Sequence, residues 1–401
     1  MSITGRIAIV GGGIGGLATA RALSLAGWQS VVLEQAPQFE EVGAGIQIGP
    51  NGFRLLESLG LRDAVAAAAV FPDNLIVMDG VSAEEVTRVP VGSSAFRDRF
   101  TYPYALIHRA DLHQALVDAC EADERIELRA GVQVSGYTDD GSKVQIGTAA
   151  GATIEADGIV GADGLWSMTR QALLGDGPPR VSGHIAYRAV LPIEAVEERF
   201  RKNDMILWAG PRNHLVQYPL RGSKLFNLVA VFHSDRYVEG WDRQGDPEEL
   251  KHRFAGNCDI VRTLLSKVET WRMWVLCDRE PAKFWHKGRS ALVGDAAHPM
   301  LQYLAQGASM ALEDSVILAQ EVQKSPEDLS SAFARYSTLR YLRTGRCQIM
   351  ARIYGGFYHA EGVSRELATR FLQSRNDAES FESLAWLYDF DPGSVVKPRI
   401  I

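Results

Sequence analysis

Cysteine is scarce in this chain. Four thiols (Cys120, Cys258, Cys277, Cys347) occur in 401 residues, with no C-x-x-C pair and no close Cys/His cluster. A disulfide-stapled secreted scaffold is excluded, and no metal site is expected. No uninterrupted apolar run reaches the ~20 residues that a membrane helix needs. The first strand begins within six residues of the N-terminus, which leaves no room for a signal peptide. Positive charge is in deficit as well: 42 Lys and Arg against 49 Asp and Glu give a net charge of -7. That balance offers no electrostatic footprint for nucleic acid. Internal repeats and low-complexity tracts are missing too. These absences together describe a cytoplasmic protein with reduced, mostly buried thiols.

What the chain does have is a 46% hydrophobic content, enough to bury a large core in two closely packed lobes, and 38 glycines. Three glycine- and aspartate-rich segments stand out: Gly11–Gly16, Gly161–Gly164 and Gly294–Pro299. At such turns the backbone passes close to something flat or anionic, and only small residues leave that room. The first is legible from physics alone. Arg6–Val10 is an apolar, β-branched run of the kind found in buried parallel strands. Gly11, Gly13 and Gly16 then match G-x-G-x-x-G, with Gly15 in the same turn, and helical periodicity runs from Leu17 to Leu25. A second strand, Trp28–Leu33, ends at Glu34. Glycines admit a pyrophosphate to the helix N-terminus, and the acidic residue accepts the adenosine ribose hydroxyls. Three such turns in this order describe one long cofactor, FAD, lying across discontinuous parts of the chain.

Further along, helices are expected at Gly52–Leu59 and Arg109–Ala119, and strands at Ile126–Arg129, Val132–Ser135, Val144–Ile146 and Ile154–Ala162. Between Gly183 and Cys277 the texture changes to strands with short turns: Ile185–Leu191, Met205–Trp208, His214–Tyr218 and Leu225–Phe232. Ser290–Val293 returns to a buried parallel type, and the stretch from Ala308 to about Arg375 is mostly helical. The expected fold is α/β. A Rossmann-type FAD-binding domain (1–182 with 278–345) is interrupted by a mostly antiparallel β-sheet substrate domain (183–277) and followed by a helical C-terminal segment (346–401). Residues 70–105 are where the first part can reach into the substrate lobe. In the helical tail, Phe357, Tyr358, Phe371 and Trp386 suit either a homodimer interface or a cap on the core.

The whole arrangement resembles the group A flavoprotein aromatic hydroxylases, the para-hydroxybenzoate hydroxylase fold. The resemblance rests on the dinucleotide turn, on Gly161–Arg170, and on Gly294–Pro299 followed by Gln306, Gly307, Ala308, Glu313 and Asp314. Val42–Pro50, Gly210–Gly222 and Leu301–Gly307 are most similar to the 3-hydroxybenzoate 6-hydroxylases, which make gentisate. It implies non-covalent FAD, with Asp295 accepting from the ribityl hydroxyls and the helix after Gly307 and Ala308 aimed at the flavin edge. Gly45 falls in the same cofactor set. Arg109 would meet the pyrophosphate or ribityl chain, against a solvated helix-end arginine as the plainer reading. Val132 would offer backbone groups to the adenine. Asp163 serves the cofactors, with Arg170 nearby, or merely caps the following helix. With no second Rossmann unit, NADH would bind transiently in a shared groove; no basic cluster awaits a 2′-phosphate.

Aromatic hydroxylation needs a reduced flavin, O2, a dry pocket and an activated ring. A phenolate is a far better nucleophile than a phenol, and a histidine is suited to take its proton. His214 is the candidate, and strand alternation puts Val216 and Tyr218 on its face. Gln302, in the loop expected at the flavin edge, would hydrogen-bond the substrate hydroxyl; a loop glutamine facing water is the alternative. Gln47 and Tyr218 are weaker candidates for the substrate carboxylate or ring. His298 is read as shaping its turn. His108, His113, His184, His233, His252, His286 and His359 are expected to have no role. The implied reaction is NADH- and O2-dependent hydroxylation of a hydroxybenzoate-type acid para to its hydroxyl. Salicylate and 6-hydroxynicotinate monooxygenases are the rivals within the family, and a non-catalytic FAD-binding sensor the rival outside it.

Overall fold

A computed structural model describes residues 5–40, 43–234 and 243–394; Val42 and the two ends of the chain, 1–4 and 395–401, lie outside them. Arg6–Val10 is the centre of a six-stranded sheet, with Ile7, Ala8 and Ile9 wholly buried. It pairs in parallel with Gln29–Leu33 on one side and Gly158–Gly161 on the other. Ile126–Arg129 and Ser290–Leu292 extend the sheet, also in parallel, and His286–Lys287 closes it as an antiparallel edge. Burial on both faces explains why these strands read as continuous apolar runs. The Ile14–Leu25 helix packs between this sheet and the Gly307–Lys324 helix, where Thr19 Oγ1 and Ser315 Oγ meet at 3.0 Å.

Ile154–Ala162 is not one strand. Thr153–Ala156 pairs with Val144–Thr148 in a three-stranded sheet with Val134–Asp139, whereas Gly158–Gly161 belongs to the central sheet. Asp157 makes the break: its carboxylate accepts from the Arg6 amide at 2.8 Å and from Lys143 Nζ at 2.7 Å. Thr153–Ala156 alternates polar and apolar residues and Gly158–Gly161 is buried throughout, yet with only Asp157 between them the two read as one strand.

The second large sheet has eight strands. In spatial order they are Arg243–Gln244, Arg272–Asp278, Arg180–Pro192, Leu225–His233, Asn213–Leu220, Asp204–Gly210, Asn74–Asp79 and Glu85–Val89. Neighbours are antiparallel except Asp204–Gly210 with Asn74–Asp79. Residues 74–89, from the first part of the chain, are therefore strands of this sheet. Two helices, Pro247–Arg253 and Asp259–Ser266, stand where strands alone were expected. Their signal was present: the Asp246 carboxylate caps Glu248 N at 2.9 Å and Pro247 follows it. Leu250, Val261 and Leu264 bury the back face of the sheet, against Leu215, Leu228 and Trp271. Its front face, with Leu207, Val216 and Tyr218, turns toward Met310, Cys347 and Ala351.

The chain ends in the helices Leu329–Tyr358, Gly362–Gln373 and Asp377–Tyr388, the last opened by a capping box between Asn376 and Glu379. Phe357 stacks on Phe371 at 6.5 Å, and both are partly exposed. Arg346 lies over the Trp386 ring at 4.1 Å. All four cysteines are unbridged, and burial raises the Cys120 and Cys347 thiols to about 12. No helix among the described residues is long and apolar enough to cross a membrane.

Candidate active site

A cavity of about 1240 Å³ runs from the carboxyl ends of the central sheet to the front face of the second sheet. At the first end, Gly11 adopts φ 108°, open to glycine and strained for other residues. The helix that follows starts at an N-cap glycine, Gly13, with no side-chain cap and no acidic residue in its first turn. Its orphan N–H donors and positive dipole end are thus left for an anion. Glu34 closes the neighbouring strand. Its carboxylate is fixed by the amides of Gly12 at 2.7 Å and Ala36 at 2.8 Å, and two oxygens keep lone pairs for a diol. Gly11, Gly13, Gly15, Glu34 and Val132 all line the cavity.

Gly16 does not, which corrects its place in the cofactor set. A Cβ there would sit 1.9 Å from the Gly11 carbonyl oxygen, so this glycine is required for strand-to-helix packing beneath the turn. Gly16→Ala is expected to cost flavin binding indirectly, through a misfolded turn. A reduced yield of folded protein, seen by circular dichroism, distinguishes that from loss of a contact.

The Gly294–Pro299 segment reaches the cavity from the other side. Asp295 is exposed, but into the cavity rather than to bulk water; desolvation raises its carboxyl, against His298 and Arg109. The Gly307–Lys324 helix also begins without a side-chain cap or acidic first turn, and Gly307 and Ala308 line the cavity. Arg109, first residue of the Arg109–Glu121 helix, lines it too. Two uncapped helix N-termini, separated by acceptors suited to sugar hydroxyls, fit a long cofactor with a pyrophosphate and an anionic ring.

Asp163 lines the cavity, yet its carboxylate is occupied by Ser167 Oγ at 2.5 Å and by Thr169 N and Oγ1 at 2.9 and 3.0 Å. The capping reading describes its side chain. Arg170 is buried, pairs with Asp176, and donates to the carbonyls of Ala296 and Ala297. It ties the second glycine segment to the third, so its guanidinium is committed to structure. His298 is buried against Asp314.

At the far end, the Asn213–Leu220 strand turns His214, Val216 and Tyr218 into the cavity, as two-residue alternation requires. Leu215 and Gln217 point to the back, where Gln217 Oε1 accepts from Trp208 Nε1 at 3.0 Å. Gly45 leaves space for the Tyr218 ring, which a Cβ would approach to 2.4 Å, and its amide donates to Asn227 Oδ1. Gln47 Oε1 accepts the Tyr104 hydroxyl at 2.5 Å. Gln302 opens a short 3₁₀ turn, Gln302–Leu304, and accepts a hydrogen bond from the Arg188 guanidinium. Burial lowers His214 to about 3, with His184 adding to the effect, so the imidazole is neutral at pH 7 and carries a lone pair on one ring nitrogen.

Two features went unread in the sequence. Arg188 lines the cavity with its guanidinium near the Trp274 ring, 5.4 Å from the centroid. It has no acidic partner among the described residues, and its Nε has no hydrogen bond. Second, three histidines expected to have no role surround His214. His359 Nε2 is 2.6 Å from His214 Nδ1, His233 Nε2 is 3.1 Å from His359 Nδ1, and the His184 ring lies 4.2 Å from that of His233.

The family described as FAD binding domain matches residues 5–327. The chain belongs to it, among the FAD-dependent aromatic hydroxylases. A 3-hydroxybenzoate 6-hydroxylase of Klebsiella oxytoca is 42% identical over 98% of this chain and 99% of its own length. The 3-hydroxybenzoate 6-hydroxylase 1 of Aquipseudomonas alcaligenes is 41% identical over 95% of this chain and 97% of its own. A solved salicylate hydroxylase substrate complex superposes with a TM-score of 0.82 at 26% identity, covering 99% of both chains. FAD is the cofactor of this hydroxylase. Glu34→Ala and Asp295→Ala are each expected to weaken FAD retention by about tenfold or more, the worth of a charge-assisted hydrogen bond. Flavin fluorescence on dilution measures this. Wild-type retention in both variants would place the cofactor elsewhere.

Proposed function

We propose that this hydroxylase converts 3-hydroxybenzoate to gentisate, using NADH and O2. The observation that carries this reading is one cavity in which a proton acceptor, a cation with no acidic partner among the described residues, and an amide meet beside the flavin cradle. FAD, when bound, supplies the electrons taken from NADH and the activation of O2. The rest falls to side chains. Arg188 binds the substrate carboxylate, since a guanidinium held away from bulk water without an acid partner favours an anion. Gln302 has its carbonyl turned to Arg188, which leaves its N–H2 to donate to the substrate. His214 Nε2 takes the phenolic proton, and the electron density released into the ring makes the carbon para to the oxygen nucleophilic. Leu75, Val77, Leu207 and Val216 line the wall and keep water out. Tyr218, whose hydroxyl burial holds protonated against the pull of Arg188, is a donor in this pocket.

The deciding experiment is NADH oxidation across a panel of hydroxybenzoates and 6-hydroxynicotinate, with products identified. Gentisate without CO2 supports the proposal; CO2 release supports a decarboxylating hydroxylase, and flavin binding without substrate-stimulated NADH oxidation supports a sensor. Within this reading, Arg188→Gln is expected to raise KM for 3-hydroxybenzoate about tenfold to hundredfold, the range for a hydrogen bond to a charged group. A phenol lacking the carboxylate should feel little of that loss. Equal effects on both substrates would remove Arg188 from carboxylate binding.

A further inference from the structure

We propose that His184, His233 and His359 form a binding site for one zinc ion, and that its occupation silences His214. The site itself stands on geometry, whereas its effect on catalysis rests on the proposed hydroxylase reading. One ring nitrogen from each of the three lies within 4.8 Å of the other two. His233 Nε2 and His359 Nδ1 are 3.1 Å apart. Bonds of about 2.0–2.1 Å to a tetrahedral zinc put ligand nitrogens roughly 3.4 Å from one another, so a ring shift of about 1.5 Å closes the set. Three imidazoles suit a borderline cation such as Zn2+, whereas Mg2+ and Ca2+ take oxygen ligands. The fourth position falls to water.

The fold sets these rings together without any ligand spacing in the sequence. His184 and His233 stand directly opposite each other in the antiparallel register of Arg180–Pro192 with Leu225–His233, so their side chains share one face. Their ring centroids are 4.2 Å apart. His359 meets them from the end of the Leu329–Tyr358 helix, where its carbonyl accepts from the Arg212 amide at 3.1 Å. His184 and His233 are half-buried and His359 is buried. None of the three lines the substrate cavity, although His214 does. Arg212, whose charge is felt at His184, is paired with Glu361 at 3.9 Å, which tempers its repulsion of a second cation.

An imidazole that binds a metal through one nitrogen carries its hydrogen on the other and hands it to a fixed partner. Two such partners are in place. His184 Nδ1 is 2.5 Å from the Tyr303 hydroxyl, and His359 Nε2 is 2.6 Å from His214 Nδ1. With zinc on His359 Nδ1, the Nε2–H of His359 must donate to His214 Nδ1. A neutral His214 then holds its own hydrogen on Nε2, the nitrogen left for the substrate, and has no lone pair there for the phenolic proton. Without the metal the same bond can run the other way, from His214 Nδ1–H to His359 Nε2, which leaves His214 Nε2 open. Every ring is neutral in both states. Zinc moves hydrogens between nitrogens, and none is gained or lost.

The test is equilibrium dialysis of the FAD holoenzyme against Zn2+, with metal and flavin counted per chain, followed by measurement of gentisate formed per NADH. Wild type should take up one Zn2+ per chain and no Mg2+. His184→Ala and His233→Ala should each weaken zinc binding by more than about hundredfold, because losing even an outer partner of a ligand costs about 10–100-fold. Tyr303→Phe keeps all three ligands and should fall within that smaller range; it decides the matter if a ligand variant loses its flavin or its fold. His252→Ala, on the exposed face of another helix, should bind zinc as wild type does. With zinc bound, NADH should still reduce FAD while gentisate per NADH falls about tenfold or more, the mark of a lost general base, and a chelator should restore it. Wild type without stoichiometric zinc, zinc affinity unchanged in the His184, His233 and Tyr303 variants, or full coupling with zinc on the site would each overturn the proposal. A metal-free wild type that makes no gentisate would overturn the functional reading instead.

Discussion

Replacing His214 by alanine should separate the two halves of the catalytic cycle. Reduction by NADH depends on stacking and hydride geometry, so it is expected to survive within about tenfold, whereas loss of a general base costs ~10²–10⁴-fold in the step that needs it. Oxygen should then leave mainly as hydrogen peroxide, because the ring is no longer activated. Gentisate formed per NADH, with peroxide measured alongside, reads the split directly. Raising the pH toward the phenol's own pKa, near 10, should restore part of the coupling, since the substrate then ionises without help. The sign follows from the wild-type site: burial lowers His214 to about 3, so it stays a neutral acceptor throughout the working range and its own titration imposes no loss above pH 5. Full coupling in His214→Ala at neutral pH would defeat the assignment and move attention to Tyr218 and Gln302.

The parts of this site that were legible in the sequence are those fixed by local chemistry. The Asn213–Leu220 strand separates a cavity face from a packed face, so alternation alone puts His214 with Tyr218. Gly11, Gly13 and Glu34 were readable because one turn between a strand and a helix brings them together. What escaped depends on distant partners. His359 lies 145 residues from His214 and 126 from His233, and nothing in their neighbours marks them. Arg188 is an ordinary strand residue until its surroundings are known; its meaning comes from having no acidic partner among the described residues. Gly16 was assigned to the cofactor because motif spacing does not say which glycine faces the ligand and which packs beneath it. Asp157 divided what reads as one strand into strands of two sheets through hydrogen bonds to Arg6 and Lys143, a long-range effect that no period reports.

Removing Arg340 should be the most destabilising single substitution around the site. Arg340 is 1% exposed and lies between two fully buried carboxylates, with Nε 2.7 Å from Asp314 Oδ1 and Nη1 2.6 Å from Glu313 Oε2. Glu313 is also held by Arg343 and Asn51, and Asp314 by His298 and the Gly294 amide. The network therefore locks the third glycine segment to the Gly307–Lys324 and Leu329–Tyr358 helices, and Arg343 extends it to the Trp386 and Leu387 carbonyls. Breaking a buried ion pair from one side costs about 3–5 kcal/mol, because the partner charge is left uncompensated. Arg340→Ala should show that loss as a lower urea midpoint at pH 7 with an unchanged slope. Burial alone would raise both carboxyls, but it is outweighed: by Arg343 and Arg340 at Glu313, and by His298 and Arg340 at Asp314. Their folded pKa values thus lie below the ordinary 4.5 and 3.8. The stability they contribute is present above those values and is lost as pH falls through the lower folded ones. The gap between wild type and Arg340→Ala should accordingly narrow on acidification below pH about 4, where protonation removes the charge that Arg340 was needed to balance. A gap that fails to narrow below pH about 4 would mean that Arg340 acts by packing rather than by charge.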